Sequence, residues 1–350
     1  MIYVIAALAG ILLAVAALEI ISLKTGLEKV IFRSELNMEL TEPDEIMTFS
    51  YRVGNTSRFP LMFVSFSFMF TDGVKVMEDG EWMERHRVGS FLSDTYTFDT
   101  YLSPRSGLHG RIRLAAGDRG VHRIGKVYIE AGDFLGFTTR MVSYDLGLSV
   151  VCTARRCEDA PDISALGGLM GDVSVRRFIM EDPSLVLGFR EYTGLEPFKA
   201  ISWLQTAKTG ELTVKRHDFT VDNHVAVLAD VEDADGRTAE RCLSLLRTAC
   251  DELETLRVPY SLLSNGDLFD TPRGSGRMHS FGIQRRIGVC KYVKFKPFSD
   301  VVDRCLAEGS GMSGAIVVVT RLDENTEAEL RRISESSGAA VCVLVGENEA

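Results

Sequence analysis

The chain has 350 residues, 45% of them hydrophobic and 25% charged, and its 39 Lys and Arg against 49 Asp and Glu leave a net charge of -10. That length holds two ordinary domains with real cores, and near-average usage excludes wholesale disorder and low-complexity structure. The acidic balance argues against nucleic acid as a partner, because such binding needs a basic face to displace counterions. Seven scattered cysteines with no Cys-x-x-Cys pair argue against a disulfide scaffold or a zinc site.

From Ile2 to Leu18 no residue is charged or strongly polar, and after Glu19 the apolar run resumes as Ile20, Ile21, Ser22 and Leu23. At ~1.5 Å per residue, such a helix just crosses a hydrocarbon core of ~30 Å. The run predicts a transmembrane anchor over residues 1-24, in contact with membrane lipid through Ile2 to Leu23. A cleaved signal peptide is the competing reading, since Ala14-Val15-Ala16 resembles a small-residue cleavage site, but no Lys or Arg precedes the run. Lys24, Lys29 and Arg33 follow it, so the positive-inside rule predicts a single-pass cell-membrane protein with the bulk of the chain in the cytoplasm. The sequon Asn55-Thr56-Ser57 would matter only in a glycosylating lumen.

Residues 28-153 read as an antiparallel β-sandwich. Met47, Phe49, Tyr51 and Val53 alternate with their neighbours, as do Val64, Phe66, Phe68 and Phe70, which is the period of a half-buried strand. Strands are expected at Ile46 to Val53, Leu61 to Phe70, Tyr96 to Leu102, Gly110 to Ala115 and Ile124 to Glu130. Asn55, Pro60, Asp72-Gly73, Asp79-Gly80, Pro104 and Asp118-Arg119-Gly120 mark turns between them.

Residues 222-350 read as an α/β domain. Short apolar runs at Val225 to Ala229, Tyr260 to Leu263, Ala315 to Val319 and Ala340 to Val345 predict strands. Helices are predicted between them: one places Cys242, Leu245, Leu246, Ala249, Cys250 and Leu253 on a single face, and others run from Ser299 to Glu308 and Thr326 to Ser334. Such alternation means a parallel sheet covered on both faces. Gly309-Ser310-Gly311-Met312-Ser313-Gly314 has the dinucleotide spacing, but it stands between a helix and a strand in the wrong order for a phosphate site. Asp230, Glu232 and Asp233 follow the first strand, where an open α/β sheet binds its ligands, and carboxylates there suit a hard cation such as Mg²⁺. Acidic turn residues serve solubility equally well. The six histidines at 86, 109, 122, 217, 224 and 279 pair with no evident nucleophile, so no catalytic residue and no cofactor are expected.

Between these regions, residues 154-221 carry a specific pattern: Arg190-Glu191-Tyr192, Glu196-Pro197-Phe198-Lys199, Ile201-Ser202-Trp203, and Ala207-Lys208 with Gly210, Glu211 and Leu212. This resembles the signature of domain-of-unknown-function family 58, with departures at Leu195, Glu196, Ser202 and Leu204. Asp133-Phe134-Leu135-Gly136-Phe137 resembles that family's motif at the end of its β-domain. The resemblance implies a membrane-anchored partner of a MoxR-type AAA+ ATPase and a C-terminal region similar to a von Willebrand factor type A domain. In that fold an Asp-x-Ser-x-Ser sequence holds a divalent metal. Asp230 matches its Asp, Glu232 and Ala234 stand at the serine positions, and Ala234 has no oxygen, so no bound metal is expected.

The expected fold class is therefore α+β and multidomain: an N-terminal transmembrane helix, a β-sandwich and a von Willebrand A-like α/β domain. The expected function is a non-enzymatic scaffold or adaptor acting in assembly or regulation of protein complexes. A metal-dependent enzyme built on the carboxylates after the first α/β strand, or an extracytoplasmic binding protein, are the other readings. The signature segment reads in two ways. As an inter-domain joint, it buries Trp203 and Tyr192 and pairs Arg190 with Glu211. As a docking surface, it offers Arg190, Tyr192, Trp203 and Lys208 to a partner.

Overall fold

A computed structural model describes residues 26–70, 73–78, 81–82, 87–88, 91–92, 95–132, 138–158, 181–192, 201–219, 224–308, 312–337 and 339–347, with single positions between 3 and 24. The chain divides into two compact units, residues 1–155 with 284–290 and residues 156–283 with 291–350.

The first unit is built on β1 (Val30–Leu36), β2 (Leu40–Thr41), β3 (Ile46–Asn55), β4 (Leu61–Phe70), β5 (Val74–Glu78), β6 (Glu81–Trp82), β7 (Arg87–Val88), β8 (Phe91–Leu92), β9 (Thr95–Leu102), β10 (Ser106–Ala116), β11 (Gly120–Gly132) and β12 (Thr139–Cys152). Two five-stranded sheets run in the orders β1-β3-β10-β5-β6 and β2-β12-β11-β4-β9, and β7 pairs with β8. The alternation in β3 and β4 turns one set of side chains from each sheet into a shared core. Phe68 lies at its centre, with ring centroids 5.0 Å from Tyr51 and 5.7 Å from Phe49. Two strands run further than their apolar alternation predicts, β10 from Ser106 and β11 to Gly132. β12 follows in a stretch where no strand was expected, although Val142, Tyr144, Leu146, Leu148 and Val150 alternate with Ser143, Asp145, Gly147 and Ser149 and turn toward the core. The sequon asparagine is a structural residue: buried Asn55 donates through Nδ2 to the Phe59 carbonyl at 2.9 Å, and its Oδ1 accepts from Ser57 Oγ at 2.7 Å.

The second unit contains β13 (Glu181–Glu191), α1 (Trp203–Thr209), β14 (Thr213–Phe219), β15 (His224–Ala229), α2 (Gly236–Thr255), β16 (Tyr260–Ser264), β17 (Thr271–Gly274), α3 (Arg277–Val289), α4 (Phe298–Glu308), β18 (Met312–Val319), α5 (Glu324–Ser337) and β19 (Ala340–Val345). Its main sheet has the order β17-β16-β15-β18-β19, parallel throughout except for β17. Asp235 caps α2 by accepting from the Thr238 amide at 2.8 Å, and Cys242, Leu245, Leu246, Ala249, Cys250 and Leu253 form its buried face. Asp323 caps α5 in the same way through the Thr326 amide at 2.7 Å, which starts that helix earlier than its apolar period suggests. Met312 to Gly314, the end of the glycine pattern, lie within β18, while residues 309–311 are outside the described residues. All seven cysteines are free thiols.

The expected fold class is corrected. More of the described residues lie in strands than in helices, and no helix among the described residues is long and apolar enough to cross a membrane. The described positions between Tyr3 and Lys24 are helical, while most of Ile2 to Leu23 lies outside the described residues.

Candidate functional site

β15 is an apolar strand buried on both faces, and its neighbours are β16 on one side and β18 on the other. The chain passes from β15 to β16 and later returns to β18, so the carboxyl ends of β15 and β18 flank the point where the winding reverses. Open α/β sheets bind ligands in that crevice. Asp230 stands there, 6% exposed, its amide donating to the Val318 carbonyl at 2.8 Å.

One side chain from the end of β16 holds this corner together. Asn265 Nδ2 donates to Asp230 Oδ1 at 2.8 Å and to the Val231 carbonyl at 3.2 Å, and its Oδ1 accepts from the Val231 amide at 2.7 Å. The Tyr292 hydroxyl reaches the Asp230 carbonyl at 3.4 Å and Thr320 Oγ1 at 2.9 Å. Burial pushes the Asp230 carboxyl up to about 6, against the pull of the Asn265 hydrogen bond and the Lys294 charge, with Glu232 and Asp323 adding to the rise. Burial likewise raises the Cys242 thiol and the Tyr292 hydroxyl, so both stay protonated at neutral pH.

The three acidic residues singled out from the sequence face different surroundings. Asp230 is buried, Glu232 pairs with Arg321 at 3.5 Å and Asp233 is exposed. Among the described residues, no group of three or more His, Cys, Asp or Glu side chains is placed to hold a metal ion. The divalent metal of the von Willebrand A fold does not fit this donor set. Asp230 already accepts from Asn265, Glu232 is committed to a guanidinium, and Ala234 supplies no oxygen. The corner is a braced polar junction rather than a cation cage.

The signature segment supplies three secondary-structure elements that its composition did not predict. β13 and β14 form an antiparallel pair in which Arg190 faces Val214 and Glu191 faces Thr213. The Tyr192 amide donates to the Leu212 carbonyl and the Ser202 amide to the Thr213 carbonyl, both at 2.8 Å. α1 ends at Gly210, whose φ of 79° is left-handed and whose amide donates to the Thr206 carbonyl at 2.9 Å. A side chain at this capping position would be strained, which gives the glycine its place in the pattern. Trp203 opens α1 and is 64% exposed, so the expectation that it buries its ring in a joint is corrected. Leu204 is 74% exposed, and Ala207, Lys208 and Glu211 are exposed as well. Tyr192 is half-buried. Glu196, Pro197 and Lys199, together with the motif at 133–137, lie outside the described residues.

Asn265, Tyr292 and Thr320 were not singled out from the sequence. Thr320 directly follows a predicted strand, the rule that selected Asp230, so that rule applied to every strand would have found it, while Asn265 stands two residues past the predicted strand Tyr260 to Leu263. Tyr292 carries no such signal.

No protein-family model matches the chain, and the resemblance to domain-of-unknown-function family 58 and to a von Willebrand factor type A domain is not supported by a family match. No curated protein matches it either. Among solved structures, the chain is similar to AvmM, which catalyzes macrocyclization in alchivemycin A biosynthesis, at 13% identity and a TM-score of 0.22 over 34% of this chain and 89% of that one. It is similar to BcpA, the major pilin subunit of Bacillus cereus, at 8% identity and a TM-score of 0.24 over 36% of this chain and 41% of that one. It is also similar to a PapD-like domain of human CEP192, at 14% identity and a TM-score of 0.21 over 34% of this chain and 84% of that one. At these values the likenesses carry no argument for fold or function.

Proposed function

We propose that the chain is a non-enzymatic adaptor that docks a protein partner through α1 and the turn that follows it. The observation that carries this reading is the exposure of Trp203 and Leu204 side by side at the start of α1, 64% and 74% accessible. A tryptophan left in water on a short helix forgoes a large burial energy unless something covers it. Leu212, 44% exposed, and the basic Lys208 stand on the same segment. Trp and neighbouring apolar groups ringed by polar residues are the usual make-up of a binding hot spot. The partner class to test first is a MoxR-type AAA+ ATPase, as the signature resemblance implies.

The test is capture of purified MoxR-type ATPase by the full chain and by two variants. Trp203→Ala is expected to weaken capture about 30-fold, as for a hot-spot truncation of about 2 kcal/mol, with the melting temperature almost unchanged. Lys208→Glu is expected to weaken it as well. Capture by both variants at the parent level would sink the docking reading, and so would a large loss of stability in Trp203→Ala.

A further inference from the structure

The sandwich carries an unrelated surface feature. β1, β3 and β10 are neighbours in one sheet, and their registers set Arg33 opposite Arg52 and Arg52 opposite His109. Residues two apart share a face. The row on one side therefore holds Ile31, Gly54 and Gly107, and the row on the other holds Glu35, Ser50 and Arg111. With strands about 4.8 Å apart, the two guanidinium groups and the imidazole of the central row are spread over roughly 10 Å. Like charges facing each other across strands are destabilising, and a chain with net charge -10 has carboxylates to offset them. Yet Arg33, Arg52, His109, Arg111 and the nearby Glu35 are all exposed and make no ion pair with one another or with any other described residue.

The surface is also concave. A basin of about 340 Å³ is lined by Arg33, Glu35, Ser50, Arg52, His109 and Arg111. A second, of about 570 Å³, shares Arg33, Arg52 and His109 and adds Ile31, Gly54 and Gly107. The glycines are the cause of its depth, because two of the three positions in that row have no side chain. A Cβ added at Gly54 would meet no atom within 4 Å. Ile31, 49% exposed, forms an apolar wall.

We propose that this basin binds a phosphomonoester, its phosphate held by Arg33, Arg52 and His109 and its apolar body lying on Gly54 and Gly107 beside Ile31. Guanidinium groups present paired donors that match phosphate oxygens. A phosphomonoester carries nearly two negative charges at neutral pH, so it offsets the Arg33 and Arg52 guanidinium groups better than a single carboxylate can and tolerates Glu35 at the rim.

The probe is phenyl phosphate, titrated calorimetrically into the full chain, with inorganic phosphate as the second arm. Saturable binding of phenyl phosphate is expected, tighter than that of inorganic phosphate. Arg52→Gln should weaken it at least tenfold without moving the melting temperature. Gly54→Val, which fills the floor in open space, should weaken phenyl phosphate more than inorganic phosphate. Arg140→Gln, at an exposed arginine on β12, should change nothing. Absence of saturable binding, or equal losses in Arg52→Gln and Arg140→Gln, would overturn the site. Equal affinity for the two probes would remove the apolar half of the proposal.

Discussion

Asp230→Asn is expected to stabilise the second unit at neutral pH, which is unusual for a buried residue with a hydrogen-bond partner. The carboxyl is pushed from 3.8 up to about 6, with burial as the largest cause. At about 1.4 kcal/mol per pKa unit, that displacement corresponds to roughly 3 kcal/mol. The sign follows from proton affinity: the folded chain holds this proton more tightly than the unfolded chain does. The stabilisation is therefore complete below about pH 4 and is lost as pH rises through about 6. Above that, the folded state carries a buried charge, offset only in part by Asn265 and Lys294. An amide at this position keeps an oxygen for Asn265 Nδ2 and never ionises. Urea unfolding followed by far-UV circular dichroism should place Asp230→Asn about 2–3 kcal/mol above the parent near pH 7.5, and only about 1 kcal/mol above it near pH 4.5. A gap that does not change with pH, or a variant less stable than the parent at the higher pH, would refute the reasoning.

Asn265→Ala strands a buried carboxylate oxygen and both backbone groups of Val231. It should lower the urea midpoint by an amount equivalent to about 2–4 kcal/mol and raise the Asp230 carboxyl further, as read by pH titration of its carbon resonance. A Cβ at position 346 would come 2.2 Å from the Cys242 sulfur. Gly346→Ala should thus cost about 1–3 kcal/mol, and combining it with Cys242→Ala should recover part of the loss in a double-mutant cycle. Phe68→Ala, at a site with no exposure in the sandwich core, should cost about 3–5 kcal/mol in thermal unfolding.

Strand period and helix faces were legible in the chain. The alternation of Met47, Phe49, Tyr51 and Val53, and the apolar face from Cys242 to Leu253, each follow from the geometry of a single element and need no knowledge of what lies opposite. The sequence likewise determined where β15 ends and that Asp230 stands at its tip. Other features depend on residues far apart in the chain. β13, with Pro183, Gly188 and Arg190 in its sequence, has no period to reveal it and exists as a partner of β14. Whether Trp203 is covered or open depends on what packs against α1, which no local pattern records. Asn265 and Tyr292 meet Asp230 from 35 and 62 residues away, and the row of Arg33, Arg52 and His109 exists only because three strands pair in one particular register. Local periodicity is set by backbone geometry within a few residues, while register, burial and electrostatic surroundings are set by pairings that form only when the chain has folded. The sequence by itself therefore determined the elements and their apolar faces, and the tertiary structure alone decided which side chains share a site and which remain in water.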